Sequence, residues 1–332
     1  MKKISVIIPM YNAENTIEEC LNSLVNQTMF MDMELIIVDD HSTDRCPEKV
    51  LKYESEYPDN ILFIRLDRNA GPGNARNIAM EYTGGEYIAF VDSDDAVLPT
   101  MYEKMYNEAI KADLDYVDSG FFDQKNDTAI VYVTDELAGE HNDKKRSDLI
   151  AVGGFVCTKI FKKSFLDGLS AGFRNEYVLE DMDYLIECTA RAIRIGTVKE
   201  IMYVYRDTGG SLSKTAEPLK YIHNQTSAMK AIYDRTHELS NYDGIREAVE
   251  FSMLHLYSNV LNTCMNTVYL KQHSREEILP VLGMLKKLKD AIIIGDYESE
   301  YIYKGINRAN LEIIKANDIS PETVLNMLKP ID

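Results

Sequence analysis

Tyr87-Ile88-Ala89-Phe90-Val91-Asp92-Ser93-Asp94-Asp95 is an apolar run of strand-forming residues that stops abruptly at three carboxylates. Such a run, apolar without alternation, fits a strand buried on both faces. Toward the N-terminus the same pattern recurs: Ile4 to Ile8, Glu34 to Val38 ending at Asp39-Asp40, and Ile61 to Leu66 each read as strands. Between them Ile17, Leu21, Leu24 and Val25 fall at helical spacing, with Asn15 and Glu18 placed to cap the helix start, and Gly73 to Tyr82 reads as a further helix. This alternation predicts an α/β domain around a parallel, doubly wound sheet. Ligands of such sheets lie outside the carboxyl ends of the strands, which is where the polar clusters stand.

Beyond Pro99 the pattern predicts a helix to about Ala112, then short strands near Tyr116 to Ser119 and Ala129 to Val133. Asp135 to Asp148 is polar enough to read as a loop. Glu180 to Ile193 reads as a helix with Met182, Leu185, Ile186 and Ile193 inward, and Lys199 to Tyr205 as a strand. From Glu217 onward Ile245, Val249, Met253, Leu256, Val260 and Leu261 recur at spacings of three and four. Residues 1–216 are therefore expected to form the α/β domain and 217–332 a helical C-terminal region. Its apolar stripes need burial, by packing against the first domain or by self-association into a homo-oligomer.

Composition narrows the function. With 332 residues, 45% hydrophobic and 27% charged, the chain has the make-up of a folded globular protein. Its 36 basic against 54 acidic residues give a net charge of −18, which repels polyphosphate backbones, so nucleic acid is not an expected partner. The acidity belongs to the α/β part, because residues 217–332 hold 13 basic against 16 acidic groups. Cys20, Cys46, Cys157, Cys188 and Cys264 are odd in number and widely spaced, the pattern of reduced, buried thiols. Met1-Lys2-Lys3 before Ile4 imitates a signal peptide, but Pro9 and the polar Tyr11-Asn12-Ala13-Glu14 follow with no cleavage site. No stretch approaches the roughly twenty apolar residues of a spanning helix, so a cytoplasmic location is expected. Lys271, Arg275, Lys286, Lys287 and Lys289 make a modest basic run that could meet anionic lipid at the inner face of a membrane; a solvated helix face is the alternative.

The motifs add chemistry. In Asp92-Ser93-Asp94-Asp95, Asp92 and Asp94 stand one residue apart after a strand and could share a divalent cation that also binds a diphosphate; helix capping by Asp94 and Asp95 is the competing explanation. After the second strand, one of Asp39 and Asp40 could accept a pyrimidine ring N–H while the other braces the loop. Gly71-Pro72-Gly73-Asn74-Ala75-Arg76 lacks the third glycine of a dinucleotide fingerprint and does not follow the first strand, which disfavours a nicotinamide enzyme. Arg76, one turn into a helix, could neutralise a phosphate. Glu180-Asp181 at a helix start offers a carboxylate kept ionised by the helix dipole. Arg206-Asp207-Thr208-Gly209-Gly210-Ser211 has the composition of a mobile lid carrying a cation, or of an exposed turn. No P-loop, hydrolase elbow or metal-spaced histidine pair occurs.

In order along the chain, Ser5-Val6-Ile7-Ile8-Pro9-Met10-Tyr11-Asn12, Val38-Asp39-Asp40-His41-Ser42-Thr43-Asp44, Asn69-Ala70-Gly71-Pro72-Gly73-Asn74-Ala75-Arg76-Asn77 and Ala89-Phe90-Val91-Asp92-Ser93-Asp94-Asp95 resemble family 2 glycosyltransferases, over about residues 4 to 213. The resemblance implies a GT-A fold, a Rossmann-like, mostly parallel central sheet flanked by helices, here with an α-helical C-terminal appendage. It also implies a nucleotide-diphosphate-sugar donor, usually a UDP-sugar, a divalent metal cofactor (Mn2+ or Mg2+) and transfer with inversion to an acceptor hydroxyl. Pro9, Tyr11 and Asp39 match uridine-binding positions, with Asp40, Arg76 and Ser93 also donor-side. Asp92 and Asp94 match the Asp-x-Asp pair, Asp94 being the metal ligand of the two. Asp181 matches the catalytic base, with Glu180 as fallback. Arg206 falls where the family carries a cation near the diphosphate, and Cys157-Thr158-Lys159-Ile160-Phe161 resembles a segment flanking the acceptor site, Lys159 included. His41 departs from the glycine of many members. The family's usual destination, bacterial surface glycans, makes a glycan or glycolipid acceptor the expected partner. Two other readings compete: a non-catalytic nucleotide-sugar-binding scaffold, and a nucleotidyltransferase, which would release pyrophosphate in place of UDP.

Overall fold

The computed structural model describes residues 2–176, 178–208, 217–295 and 297–327. Strands β1 (Ile4–Met10), β2 (Met33–Asp39), β3 (Ile61–Arg65) and β4 (Tyr87–Phe90) lie parallel in the order β3-β2-β1-β4. Every residue of β1 and β4 is buried, which is why both read as unbroken apolar runs. Side chains alternate between two cores: Val6 and Ile8 face the layer of α1 (Ile17–Val25), α2 (Cys46–Glu56) and α4 (Met101–Ala112), whereas Ile7 and Ile88 face α3 (Pro72–Met80) and α7 (Met182–Arg191).

Past β4 the sheet is mixed. β9 (Lys159–Lys162) runs antiparallel to both β4 and β6 (Tyr116–Asp123), and β10 (Arg194–Tyr205) runs parallel to β6 and antiparallel to β5 (Ala96–Val97). β7 (Thr128–Ile130) and β8 (Gly139–Glu140) add antiparallel edges. The expected doubly wound parallel arrangement thus holds for β1 to β4 and gives way where β9 reverses direction.

Three local expectations are corrected. The Asn15–Glu18 cap does not form; the cap residue is Thr16, whose hydroxyl turns back to the Ala13 carbonyl at 3.3 Å. The polar stretch 135–148 is not all loop: β8 lies in it, and helix α5 (Asp143–Val152) starts there, with Asn142 accepting from the Lys145 amide at 3.0 Å. Charged residues fill the first turn of α5 and mask the buried Leu149 and Ile150 that follow. Ile193 is exposed because it lies beyond the end of α7; Leu185 and Ile186 point inward as expected, joined by Tyr184 and Cys188. All five cysteines are free and buried.

The C-terminal region contains α8 (Pro218–Thr236), α9 (Tyr242–Tyr269), α10 (Arg275–Ile292), α11 (Glu300–Gly305), α12 (Arg308–Ile319) and α13 (Pro321–Asn326), numbered among the described residues after the short α6 (Lys163–Leu166). Ile245, Val249, Met253, Leu256, Val260 and Leu261 are buried there, and the same apolar cluster takes in Ile150 of α5 and Ile186 and Ala190 of α7. The tail therefore packs against the α/β part instead of standing apart. The segment 209–216 that joins them lies outside the described residues.

Two members of the basic run are engaged within the protein. Lys286 pairs with Asp290 at 2.5 Å, and Lys289 is buried between Asp318 at 2.5 Å and the Tyr297 hydroxyl at 2.8 Å. Among the described residues no helix is long and apolar enough to cross a membrane. Removing one partner of a buried pair leaves the other uncompensated. Lys289→Ala should therefore lower the unfolding free energy by about 3 kcal/mol in urea titrations, and Lys289→Met by clearly less because it keeps the packed stem.

Candidate active site

The loops at the carboxyl ends of β1 and β2 are tied together. Asn12, at φ 48, donates its amide to Ser42 Oγ at 2.9 Å and accepts the Thr43 amide at 2.8 Å. His41 sits at φ 65, in the left-handed region that glycine enters freely, so the loop keeps a glycine-like shape with a histidine in place. Pro9 is buried within β1, and Tyr11, just past the strand end, is 44% exposed, an aromatic face open to a flat ligand. The adjacent carboxylates divide their tasks. Asp40 accepts the amides of Ala70 and Gly71 at 2.8 and 2.7 Å and so braces the loop into α3. Asp39, fully buried, accepts the Ser42 amide at 3.0 Å through Oδ1; its Oδ2, 3.3 Å from Arg65 Nε, accepts no hydrogen bond. A buried acceptor left open is costly unless a ligand donor fills it.

Gly71, at φ 92, starts α3, and Gly73 lies so close to the Arg174 carbonyl that a β-carbon would collide with it. That approach brings Arg76 of α3 against the segment before α7. Its buried guanidinium donates to Asp92 Oδ1 at 2.8 Å and to Glu180 Oε1, over the Phe173 ring at 5.5 Å. Burial opposes its charge, but Glu180, Asp92 and Asp181 outweigh burial and raise its pKa further. Arg76 is thus committed to two carboxylates instead of projecting toward a phosphate. Glu180 is committed as well. Asp181, partly buried at the cap of α7, makes no capping hydrogen bond and no ion pair among the described residues. Burial first, then the Glu180 charge, pushes its carboxyl up to about 7.

None of Asp92, Asp94 and Asp95 caps α4, whose cap is Thr100. Asp95 is buried, accepting the Tyr203 hydroxyl at 2.6 Å and the Arg206 amide at 2.9 Å, and Asp94 accepts from Thr208 at 3.2 Å. Burial and then the Asp92 charge raise the Asp94 carboxyl; burial, Asp92 and Asp94 push Asp95 up to about 8. Asp92, Ser93 and Asp94 stay partly exposed. The structure brings Arg206 to this cluster, paired with Glu19 at 2.7 Å and with one guanidinium nitrogen buried and without a hydrogen-bond partner among the described residues. Gly209, Gly210 and Ser211 lie outside the described residues. Lys159 is not presented to an acceptor: it is buried, with its ammonium donating to Asp118 at 2.9 Å, the Phe155 carbonyl at 2.9 Å and Thr158 at 3.2 Å. Asp95, Tyr203 and Glu19 are parts of the site that sequence reasoning missed. Only the adjacency of Asp95 to Asp94 hinted at any of them.

A sheet whose parallel strands β2 and β4 lead into Asp39-Asp40 and the Asp92-Asp94-Asp95 cluster, with Asp181 at the start of α7, has the layout of a GT-A fold. The comparisons agree. Residues 5–168 match the family model Glycosyl transferase family 2. The uncharacterized glycosyltransferase EpsJ of Bacillus subtilis is 30% identical over 220 residues, 64% of this chain and 63% of that protein. The poly(ribitol-phosphate) β-glucosyltransferase of Bacillus spizizenii is 46% identical over 106 residues, 32% of this chain and 17% of that longer protein. The crystal structure of Staphylococcus aureus TarS residues 1–349 in complex with UDP-GlcNAc superposes with a TM-score of 0.70 at 22% identity, covering 97% of this chain and 89% of that one. Residues 5–168 of this chain belong to glycosyltransferase family 2.

Asp95 gives the site a pH signature. Its carboxyl titrates near 8 when folded but near an ordinary carboxylate value of about 3.9 when unfolded, so the folded state holds the proton more tightly. Its stabilisation is complete below about pH 4 and is lost as pH rises toward 8. Metal-free protein should therefore show a melting temperature that falls from pH 5 to pH 8, and Asp95→Asn should flatten that decline; calorimetry over the range checks both.

Proposed function

We propose that the protein is an inverting glycosyltransferase that moves a sugar from a UDP-sugar to an acceptor hydroxyl in cell-surface polymer synthesis. The observation that carries the reading is the division between neighbours: Glu180 is locked to Arg76, while Asp181 has no protein partner among the described residues. The charges of Arg76 and Asp92 act on Asp181, so it belongs to the same site as the acidic cluster.

In this reading Tyr11 and Pro9 receive the uracil ring, and the open Oδ2 of Asp39 accepts its ring N–H. Asp92 and Asp94 would hold a divalent cation. Among the described residues no three metal-ligating side chains cluster, so this donor set fits an ion that draws its other ligands from phosphate and water. Bound there, such an ion supplies positive charge to the departing diphosphate. The unpartnered nitrogen of Arg206 offers a further donor on that side. Asp181, its carboxyl raised toward 7, takes the proton from the acceptor hydroxyl as that oxygen attacks the face opposite the leaving group. One displacement inverts the anomeric centre, and no covalent enzyme intermediate is needed.

The names of the relatives make poly(ribitol-phosphate) the first acceptor to try, with UDP-glucose and UDP-GlcNAc as donors. Asp181→Asn should cut kcat by roughly 10²- to 10⁴-fold while UDP binds as before. UDP should appear in step with sugar transfer, and NMR should show a β-linked product. Pyrophosphate release, or unchanged turnover by Asp181→Asn, would reject the proposal.

A further inference from the structure

The helical region is fastened, by charge, to the segment that carries Asp181. Along α8, His223, Ser227 and Arg235 share one side of the helix, and each reaches residues 171–187. His223 lies 3.7 Å from Glu176, and Ser227 Oγ accepts from Arg174 at 3.2 Å. Arg235 donates to Asp183 and Glu187 at 2.6 Å each, to the Ala171 carbonyl at 3.1 Å and to the Gly172 carbonyl. Arg174 completes the circuit, donating to the other Asp183 oxygen at 2.6 Å and to the Leu179 carbonyl. The side chains of Asp183 and Glu187 are 0% exposed; Arg174 and Arg235 pair with Asp183, and Arg235 shares Glu187 with Arg191 and Ser170.

Leu179 is the residue that this circuit holds out of its preferred shape. It sits at φ 60, a left-handed conformation unfavourable for a branched, non-glycine residue, directly before Glu180-Asp181. Such a conformation persists only when the surroundings over-determine it. The donor side is built separately: Pro9, Tyr11, Asp39 and Asp40 belong to β1, β2 and the loops after them, and none bonds to Arg235.

We infer that Arg235, from the C-terminal region, is a positioning residue for sugar transfer: with Arg174 and Ser227 it clamps residues 171–174 and 179–183 and so fixes where Asp181 meets the acceptor. The inference rests on the reading of Asp181 as the base. Loss of the clamp should displace that carboxylate without touching the loops after β1 and β2 that would receive the uracil, and misplacement by about 1 Å is enough to cost on the order of 10²-fold in rate.

The test uses the full chain in four forms: wild type, Asp181→Asn, Arg235→Met and Arg235→Lys, with the donor and acceptor that wild type turns over. Arg235→Met should lower kcat by about 10- to 100-fold while the KM for the donor and the calorimetric affinity for UDP stay within about twofold. Arg235→Lys, which restores the charge but not the fork, should recover part of the rate. Hydrogen exchange should rise across 171–181 in Arg235→Met and remain unchanged across 4–66. Should Arg235→Met fail to fold, Ser227→Ala carries the same test with a kcat decrease of roughly threefold to tenfold. Wild-type kcat in the folded variant beside an inactive Asp181→Asn, or UDP affinity lost in parallel with rate, would overturn the clamp alone. Turnover retained by Asp181→Asn would instead remove the base assignment on which the clamp depends.

Discussion

A single buried guanidinium, that of Arg76, fixes the order of the site. It sits on α3 and binds two carboxylates from different parts of the chain, Asp92 at the end of β4 and Glu180 before α7. A buried cation so paired cannot be removed without stranding two acids. The pairing joins the acidic cluster to the candidate base and leaves Asp181 as the member without an ion pair among the described residues. It also bears on the acidity of the site: this cation serves two carboxylates, and Asp94, Asp95 and Asp181 are all raised, by burial first and then by neighbouring acids, Asp92 for Asp94 and Asp95 and Glu180 for Asp181. A diphosphate would add more negative charge to such a rim. A divalent ion is the simplest group that makes the two compatible.

The fold supplies this geometry from three directions. β1 and β2 carry the loops proposed to receive the nucleotide, cross-tied through Asn12, Ser42 and Thr43. β4 delivers the acids, and β10 returns Tyr203 and the Arg206 amide to Asp95. α7 carries Asp181 at its cap and is held from behind by Arg235 of the helical region, whose apolar core is continuous with α5 and α7. Rigidity is thus concentrated where a reacting carboxylate has to be placed, and openness is left at Tyr11, Asp39 Oδ2 and Asp181.

Much of the first half was legible from residue order. β1 and β4 are buried throughout, so their apolar runs are unbroken and their polar ends mark the ligand edge. The antiparallel turn of β9 was not legible, because strand direction depends on pairing partners that periodicity does not name. α5 was hidden by its charged first turn, and the exposed Ile193 by an extrapolated helix end. At the site, Asp92, Asp94, Glu180 and Asp181 stood out as acids at element ends. The bond that separates Glu180 from Asp181 joins residues 104 apart in sequence, and nothing local announces it. Lys159 misled for a related reason: a lysine is usually exposed, and its burial against Asp118 depends on the neighbouring strand.

The claim that a divalent ion reconciles an acidic rim with an anionic donor is tested most directly by calorimetric titration of UDP into chelator-treated protein, with and without Mn2+. Binding should be at least about tenfold tighter with Mn2+ in the wild type, a difference of about 1.4 kcal/mol, and that gain should vanish in Asp94→Asn. Equal affinity with and without the ion would contradict the account.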